Sequence, residues 1–170
     1  MARAPRGLVE ALDVDTVTET KPTAGEMLER FVRTRQPAIA TLNGFPIALD
    51  LEKGTLTFRF ESTVAMCHST QIPQGGIVQG GFVAGWLDTS MAHLAIALTN
   101  FTMRLPTLEL KVSYLAPAHP GRVYFSEATM VRRGRTVAFL EARLRDEEGK
   151  LIATASSTGM FSPIPPGAEA

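Results

Sequence analysis

Residues 55–60 alternate cleanly: Leu56, Phe58 and Phe60 fall on one face, Thr55, Thr57 and Arg59 on the other. Period-two spacing of this kind predicts a strand with one face on a core. The apolar run 46–51, joined to it through Glu52-Lys53-Gly54, completes a predicted hairpin. The pattern returns at 107–114, where Leu108, Leu110, Val112 and Tyr114 share one face and Thr107, Glu109, Lys111 and Ser113 the other. Segments 123–131, 136–145 and 151–161 follow as three more strands. Their connections, Arg132-Arg133-Gly134-Arg135 and Asp146-Glu147-Glu148-Gly149-Lys150, are short, which predicts an antiparallel meander.

Helical spacing occurs twice. Met27, Leu28, Phe31 and Val32 follow a Thr23-x-x-Glu26 capping box, so a helix starts near residue 23 and Pro37 ends it. A longer helix over 80–99 would run ~30 Å at 1.5 Å per residue. Its stripe of Val83, Leu87, Met91, Leu94 and Leu98 is suited to packing on a sheet. The order helix, two strands, long helix, four strands is an α+β layout: an antiparallel sheet around one long helix. The expected organisation is a loose arm over 1–22, one domain over 23–161 and a disordered tail over 162–170. Residues 69–81 read as a loop.

Composition adds limits. A chain of 170 residues, 45% hydrophobic and 20% charged, fits one globular domain. Its formal net charge of zero gives no overall pull toward nucleic acid or an anionic membrane surface. Segment 82–98 approaches membrane-spanning length, but Asp88 and His93 lie near its middle, where lipid makes them costly; no membrane partner is expected. Cys67 is the single cysteine, so an intramolecular disulfide is excluded. With no apolar leader run, a cytoplasmic protein is expected.

The long helix carries a second stripe: Gly81, Ala84, Asp88 and Ala92, with Gly85 at its edge. Small residues around one carboxylate allow a subunit or a ligand to approach the helix backbone closely. Two readings of Asp88 stand side by side: an ion pair across a subunit interface, and a catalytic carboxylate. The stretch Gln74-Gly75-Gly76-Ile77-Val78-Gln79-Gly80-Gly81 holds four glycines in eight positions. It is either a plain tight turn or a site where free helix N–H groups bind an anion or polarise a carbonyl oxygen. A nucleotide phosphate loop is excluded by the absence of Gly-Lys-Ser/Thr and of G-x-G-x-x-G after a strand. Cys67 and His68, adjacent in a strand, point to opposite faces and make no nucleophile–base pair. There is no Gly-x-Ser-x-Gly elbow. The three histidines lack metal-ligand spacing, and no cofactor is expected. His93 reads as packed or at an interface, His119 as exposed in its turn. Arg132, Arg133 and Arg135 form the densest basic cluster, either a solvated turn or a phosphate site. Arg104 is a further basic candidate.

Gly76-Ile77-Val78-Gln79-Gly80-Gly81-Phe82, followed by Leu87-Asp88, resembles the helix-entrance motif of hotdog-fold acyl-CoA thioesterases, in the phenylacetate-pathway and 4-hydroxybenzoyl-CoA thioesterase-like branch. That motif is commonly His-Gly-Gly with Asp or Glu nine residues after the His; here Gln79 stands in the His place and Asp88 is nine residues on. The stretch from Thr107 through Tyr114-Leu115-Ala116-Pro117 is similar to the family's next strand, and Gly121, Gly134-Arg135 and Asp146-x-x-Gly149-Lys150 to its turns.

The resemblance implies a hotdog fold and hydrolysis of an acyl-CoA to free acid and CoA. It implies homodimers or dimers of dimers with active sites at the subunit interface. The Gly81 amide would polarise the thioester carbonyl, and Asp88 of the partner subunit would be general base or nucleophile. Thr107 would hold the water or the carboxylate, Gln79 would hydrogen-bond near the thioester, and Gly80 with the arginine cluster would contact CoA. Two positions depart from the family pattern: Gln79 cannot exchange a proton, and Pro73 stands where Asn is frequent. They motivate the alternative, a non-catalytic acyl-CoA or lipid binding module. A hydratase on the same fold would need an Asp–His pair that the sequence does not place near residue 88.

Overall fold

The computed structural model describes residues 21–73 and 75–165. The expected arm lies outside the described residues for positions 1–20, and the expected disordered tail for 166–170.

The first helix, α1 (Ala24–Arg33), starts as its capping box requires. Thr23 Oγ1 accepts the Glu26 N–H at 3.3 Å while Glu26 Oε2 accepts the Thr23 N–H at 2.7 Å. It ends at Arg33, before Pro37. Pro37 itself opens a second short helix, α2 (Pro37–Thr41). The first helical position needs no N–H, so proline starts helices there as readily as it stops them downstream.

The predicted hairpin is β1 (Gly44–Asp50) and β2 (Thr55–Glu61), paired antiparallel. Leu56, Phe58 and Phe60 of β2 are fully buried, as the alternation requires. The segment read as a loop contains a small hairpin, β3 (Cys67–Ser69) with β4 (Ile77–Val78). Gly76 lies beside it at φ 140, and a Cβ there would sit 2.7 Å from the Ser69 carbonyl oxygen, so only glycine fits.

The long helix α3 (Gly80–Leu98) is the centre of the molecule. It is long and apolar enough to cross a membrane by composition, but it packs under the sheet, touching β1 and β2 and the later strands alike. Val83, Leu87, Met91 and Leu94 are buried. After it come β5 (Met103–Arg104), β6 (Thr107–Tyr114), β7 (Val123–Arg133), β8 (Val137–Asp146), β9 (Leu151–Met160) and β10 (Ser162–Pro163). β7, β8 and β9 form the predicted meander. The large sheet runs β1-β2-β7-β8-β9-β6, so β6 pairs with β9 at one edge rather than with its successor in the chain. β10 pairs with β5, and the Ile164 N–H donates to the Thr102 carbonyl, which ties the chain down beyond residue 161.

The core is a row of stacked rings. Phe58, Phe60, Trp86 and Tyr124 follow one another at centroid spacings of 5.5, 5.4 and 5.5 Å. Trp86 Nε1 donates to the Leu42 carbonyl at 2.9 Å, which fixes α3 to the link between α2 and β1. Truncating such a buried ring to Ala costs about 3–5 kcal/mol. The architecture is the hotdog fold: one helix wrapped by an antiparallel sheet.

Candidate active site

The small-residue stripe of α3 faces away from the core. Ala84, Asp88 and Ala92 are half-buried and Gly81 is exposed. Gly85 has another role, since a Cβ there would meet Leu42 at 3.0 Å. Asp88 Oδ1 accepts a hydrogen bond from Thr107 Oγ1 at 2.7 Å. The alternation along β6 assigns Thr107 to the face of Glu109, Lys111 and Ser113; a bulge between Thr107 and Glu109, opposite Gly159 and Thr158, resets that phase and brings its hydroxyl to the helix. Among the described residues the Asp88 carboxylate is held by a hydroxyl and takes part in no ion pair.

Eight residues before Asp88, α3 begins at Gly80. Gln79 is its N-cap, and Gln79 Oε1 accepts the Gly81 N–H at 2.6 Å. A Cβ on Gly81 would lie 2.6 Å from that oxygen, so the contact depends on glycine. Tyr114 Oη donates to the Gly80 carbonyl at 2.9 Å, with its ring against Gly80. Gly81 and Asp88 of one chain are ~10 Å apart by helical rise. A reacting carbonyl must lie about 3 Å from its donor and from its nucleophile, which is either the carboxylate itself or a water held by it.

An open, mainly apolar cleft of about 380 Å³ lies beside the helix entrance, lined among others by Ile77, Val78, Gly80, Val83, Tyr114 and Leu115, with His68 at its rim. Leu108, Tyr114 and Leu115, on and just after the edge strand, are 60%, 55% and 57% exposed.

The remaining candidates lie elsewhere. Arg133 Nη1 donates to the Leu98 carbonyl at 2.9 Å, which puts the arginine turn at the far end of α3, ~15 Å along the axis from Asp88. Arg132 is exposed at the end of β7 and Arg135 in the turn after it, and Arg104 is exposed on β5. Burial holds the Cys67 thiol above its usual range, which suppresses the thiolate and weakens it as a nucleophile. His93 is packed between Phe31 and Phe58, its Nδ1 2.8 Å from the Thr89 carbonyl, and burial holds it down at about 4. His119 is not the exposed turn residue expected. It is half-buried, its Nδ1 lies 2.9 Å from the Gly76 carbonyl oxygen and its backbone N–H donates to Tyr124 Oη, because the 117–121 turn folds back on the glycine loop. The Tyr114–Gly80 bond went unread in the sequence. Its signal was the Tyr at the end of a strand whose alternation points it at the helix.

A sequence profile described as the thioesterase superfamily matches residues 75–153. A solved structure from Ralstonia eutropha, provisionally named a thioesterase and a phenylacetic acid degradation-related protein, is 36% identical with a TM-score of 0.67; the match covers 79% of this chain and 98% of that one. A protein of Saccharolobus solfataricus, provisionally named an esterase, is 34% identical over 82 residues, so the chain spans 57% of that relative and the match 48% of this chain. A Streptococcus mutans protein solved with acetyl-CoA bound is alike in fold, with a TM-score of 0.61 at 17% identity, covering 71% of this chain and 90% of that one. Matched by that profile, and 36% identical to the Ralstonia eutropha structure over 79% of this chain and 98% of that one, the chain belongs to the thioesterase superfamily, whose general chemistry is thioester hydrolysis.

Proposed function

We propose that this protein hydrolyses acyl-CoA thioesters to the free acid and CoA. The observation that carries the reading is Asp88: a carboxylate on a small-residue face, held by Thr107 at 2.7 Å and in no ion pair among the described residues. As general base, Asp88 takes a proton from water as the oxygen attacks the carbonyl carbon. The oxyanion that forms accepts from the Gly81 N–H, and collapse of the tetrahedral adduct expels the CoA thiolate, which takes up a proton. As nucleophile, Asp88 would instead attack the carbonyl carbon and expel the CoA thiolate, which takes up a proton, leaving a mixed anhydride that water opens to the free acid and the Asp88 carboxylate. In either route the thioester oxygen takes the place that Gln79 Oε1 occupies on the Gly81 N–H, and the Gln79 side chain turns aside to hydrogen-bond the substrate.

Gly81 and Asp88 of one copy are separated by ~10 Å of helical rise, and the proposed working site pairs Gly81 of one copy with the carboxylate of a second. A homodimer, or a dimer of dimers, is part of the proposal, and the exposed residues of the β6 edge support it. The acyl group is assigned to the apolar cleft beside Gly80. The phosphates of the CoA part, present also in the acetyl-CoA bound to the Streptococcus mutans neighbour, are assigned to Arg132, Arg133 and Arg135. A cytoplasmic setting belongs to the same reading.

A second reading has one observation in its favour. The Gly81 N–H is already capped by Gln79, as it would be in a module that binds acyl-CoA without turning it over. A panel of aliphatic and aryl CoA thioesters, followed by release of free thiol, decides between them. Release from at least one class supports the hydrolase; tight binding with no release supports the binding module.

A further inference from the structure

One peptide group at the entrance of α3 is gripped at both ends. The amide joining Gly80 to Gly81 accepts a hydrogen bond at its C=O from Tyr114 Oη, 2.9 Å away, and donates at its N–H to Gln79 Oε1, 2.6 Å away. A trans peptide is planar, with C=O and N–H pointing in opposite directions, so the two contacts together fix its plane. Glycine at position 80 lets the tyrosine come this close: a Cβ there would lie 3.2 Å from both the ring and the hydroxyl and would push them back by a few tenths of an ångström. A carbonyl oxygen has two lone pairs, so it can hold Tyr114 without giving up its place in the helix.

We propose that Tyr114 is a positioning residue for thioester hydrolysis, its hydroxyl orienting and polarising the Gly80–Gly81 peptide so that the Gly81 N–H donates more strongly to the thioester oxygen. This rests on the reading of Gly81 as the donor that polarises the carbonyl. Hydrogen bonding at C=O draws electron density toward that oxygen and leaves the N–H of the same amide more positive. Such chains strengthen each bond by about 10–30%. The Gly81 N–H donates to Gln79 Oε1 at 2.6 Å. Gln79 Oε1 is itself a neutral amide oxygen and stands where the thioester oxygen would. Tyr114 ends the strand whose first residue, Thr107, holds Asp88, so β6 sets both the donor and the carboxylate of each chain.

Losing an oxyanion donor outright costs about 10²–10³ in kcat. A tenth to a third of that effect, on a logarithmic scale, is about two- to eightfold. Tyr114→Phe keeps the ring on Gly80 and removes only the hydroxyl. It is expected to lower kcat by about that factor, to leave KM within about twofold, and to move the Gly81 amide proton of isotope-labelled protein upfield. Placing 3-fluorotyrosine at position 114, a more acidic donor of similar size, moves that resonance downfield and holds kcat at or above the unaltered value. An unchanged kcat in Tyr114→Phe, a loss carried by KM, or a Gly81 resonance that stays put overturns the role of Tyr114 alone. Absence of hydrolysis by the unaltered protein overturns the hydrolase reading and this role with it, whatever the resonance does.

Discussion

Thr107→Val keeps the volume of the side chain and deletes the hydrogen bond that Asp88 accepts from β6. At 2.7 Å the contact is of the short, charge-assisted kind. Such bonds are worth about 1.5–3 kcal/mol when fully desolvated. Asp88 is only half-buried, so water replaces part of what the hydroxyl supplied, and about 1–1.5 kcal/mol is the expected net loss. If that bond orients the carboxylate toward its water or carbonyl, the loss falls on the transition state, and kcat drops about tenfold. The same loss expressed as stability would lower Tm by about 2–6 °C in a domain of this size. The assay is thiol release from the best CoA thioester, with unfolding followed by the fluorescence of Trp86, the single tryptophan. Thr107→Ser, which keeps the hydroxyl, should retain most of the rate. A Thr107→Val protein with kcat within twofold of the original would refute the reasoning.

Two further outcomes follow from named contacts. Gln79→Ala removes the N-cap bond to Gly81 and should cost about 0.5–2 kcal/mol of stability; hydrolysis should persist, since no proton passes through an amide side chain, and complete loss of turnover with the fold intact would contradict that. Burial lowers His93 from 6.5 to about 4. The unfolded chain therefore takes up a proton as pH falls through about 6.5 while the folded chain stays neutral until about 4, so stability is lost across that window. Between pH 7 and pH 5 the loss is about 2 kcal/mol. Urea unfolding should show His93→Leu free of this component, and equal pH slopes for both proteins would count against it.

Strong periodicity was legible in the sequence; what depended on a third dimension was not. The 2.0 and 3.6 repeats placed β2, the meander and α3, because burial of one face dictates both spacings. The sheet-packing and small-residue stripes of α3 separated on paper as they do in space. The edge position of β6 was not readable, since alternation says which face is buried and nothing of the neighbouring strand. The bulge at Thr107 was hidden for the same reason: it changes phase by one residue, and only the register against Gly159 and Thr158 reveals it. Thr107 was nonetheless named beside Asp88 through the family resemblance. Residue identity alone showed glycines at the helix entrance. That Gln79 and Tyr114 hold the two ends of one peptide there required coordinates. His119 was misplaced because a His-Pro turn looks exposed until the turn is seen folded against Gly76.

The central claim is that Asp88 performs the chemistry. The most direct measurement is kcat/KM for thiol release by Asp88→Asn, on the CoA thioester that the unaltered protein hydrolyses fastest, with the fold checked by Trp86 fluorescence. Asparagine preserves the shape and can neither take a proton from water nor attack as a carboxylate, so a fall of at least about 10²-fold is predicted. Hydrolysis at the original rate by a folded Asp88→Asn protein would contradict the account.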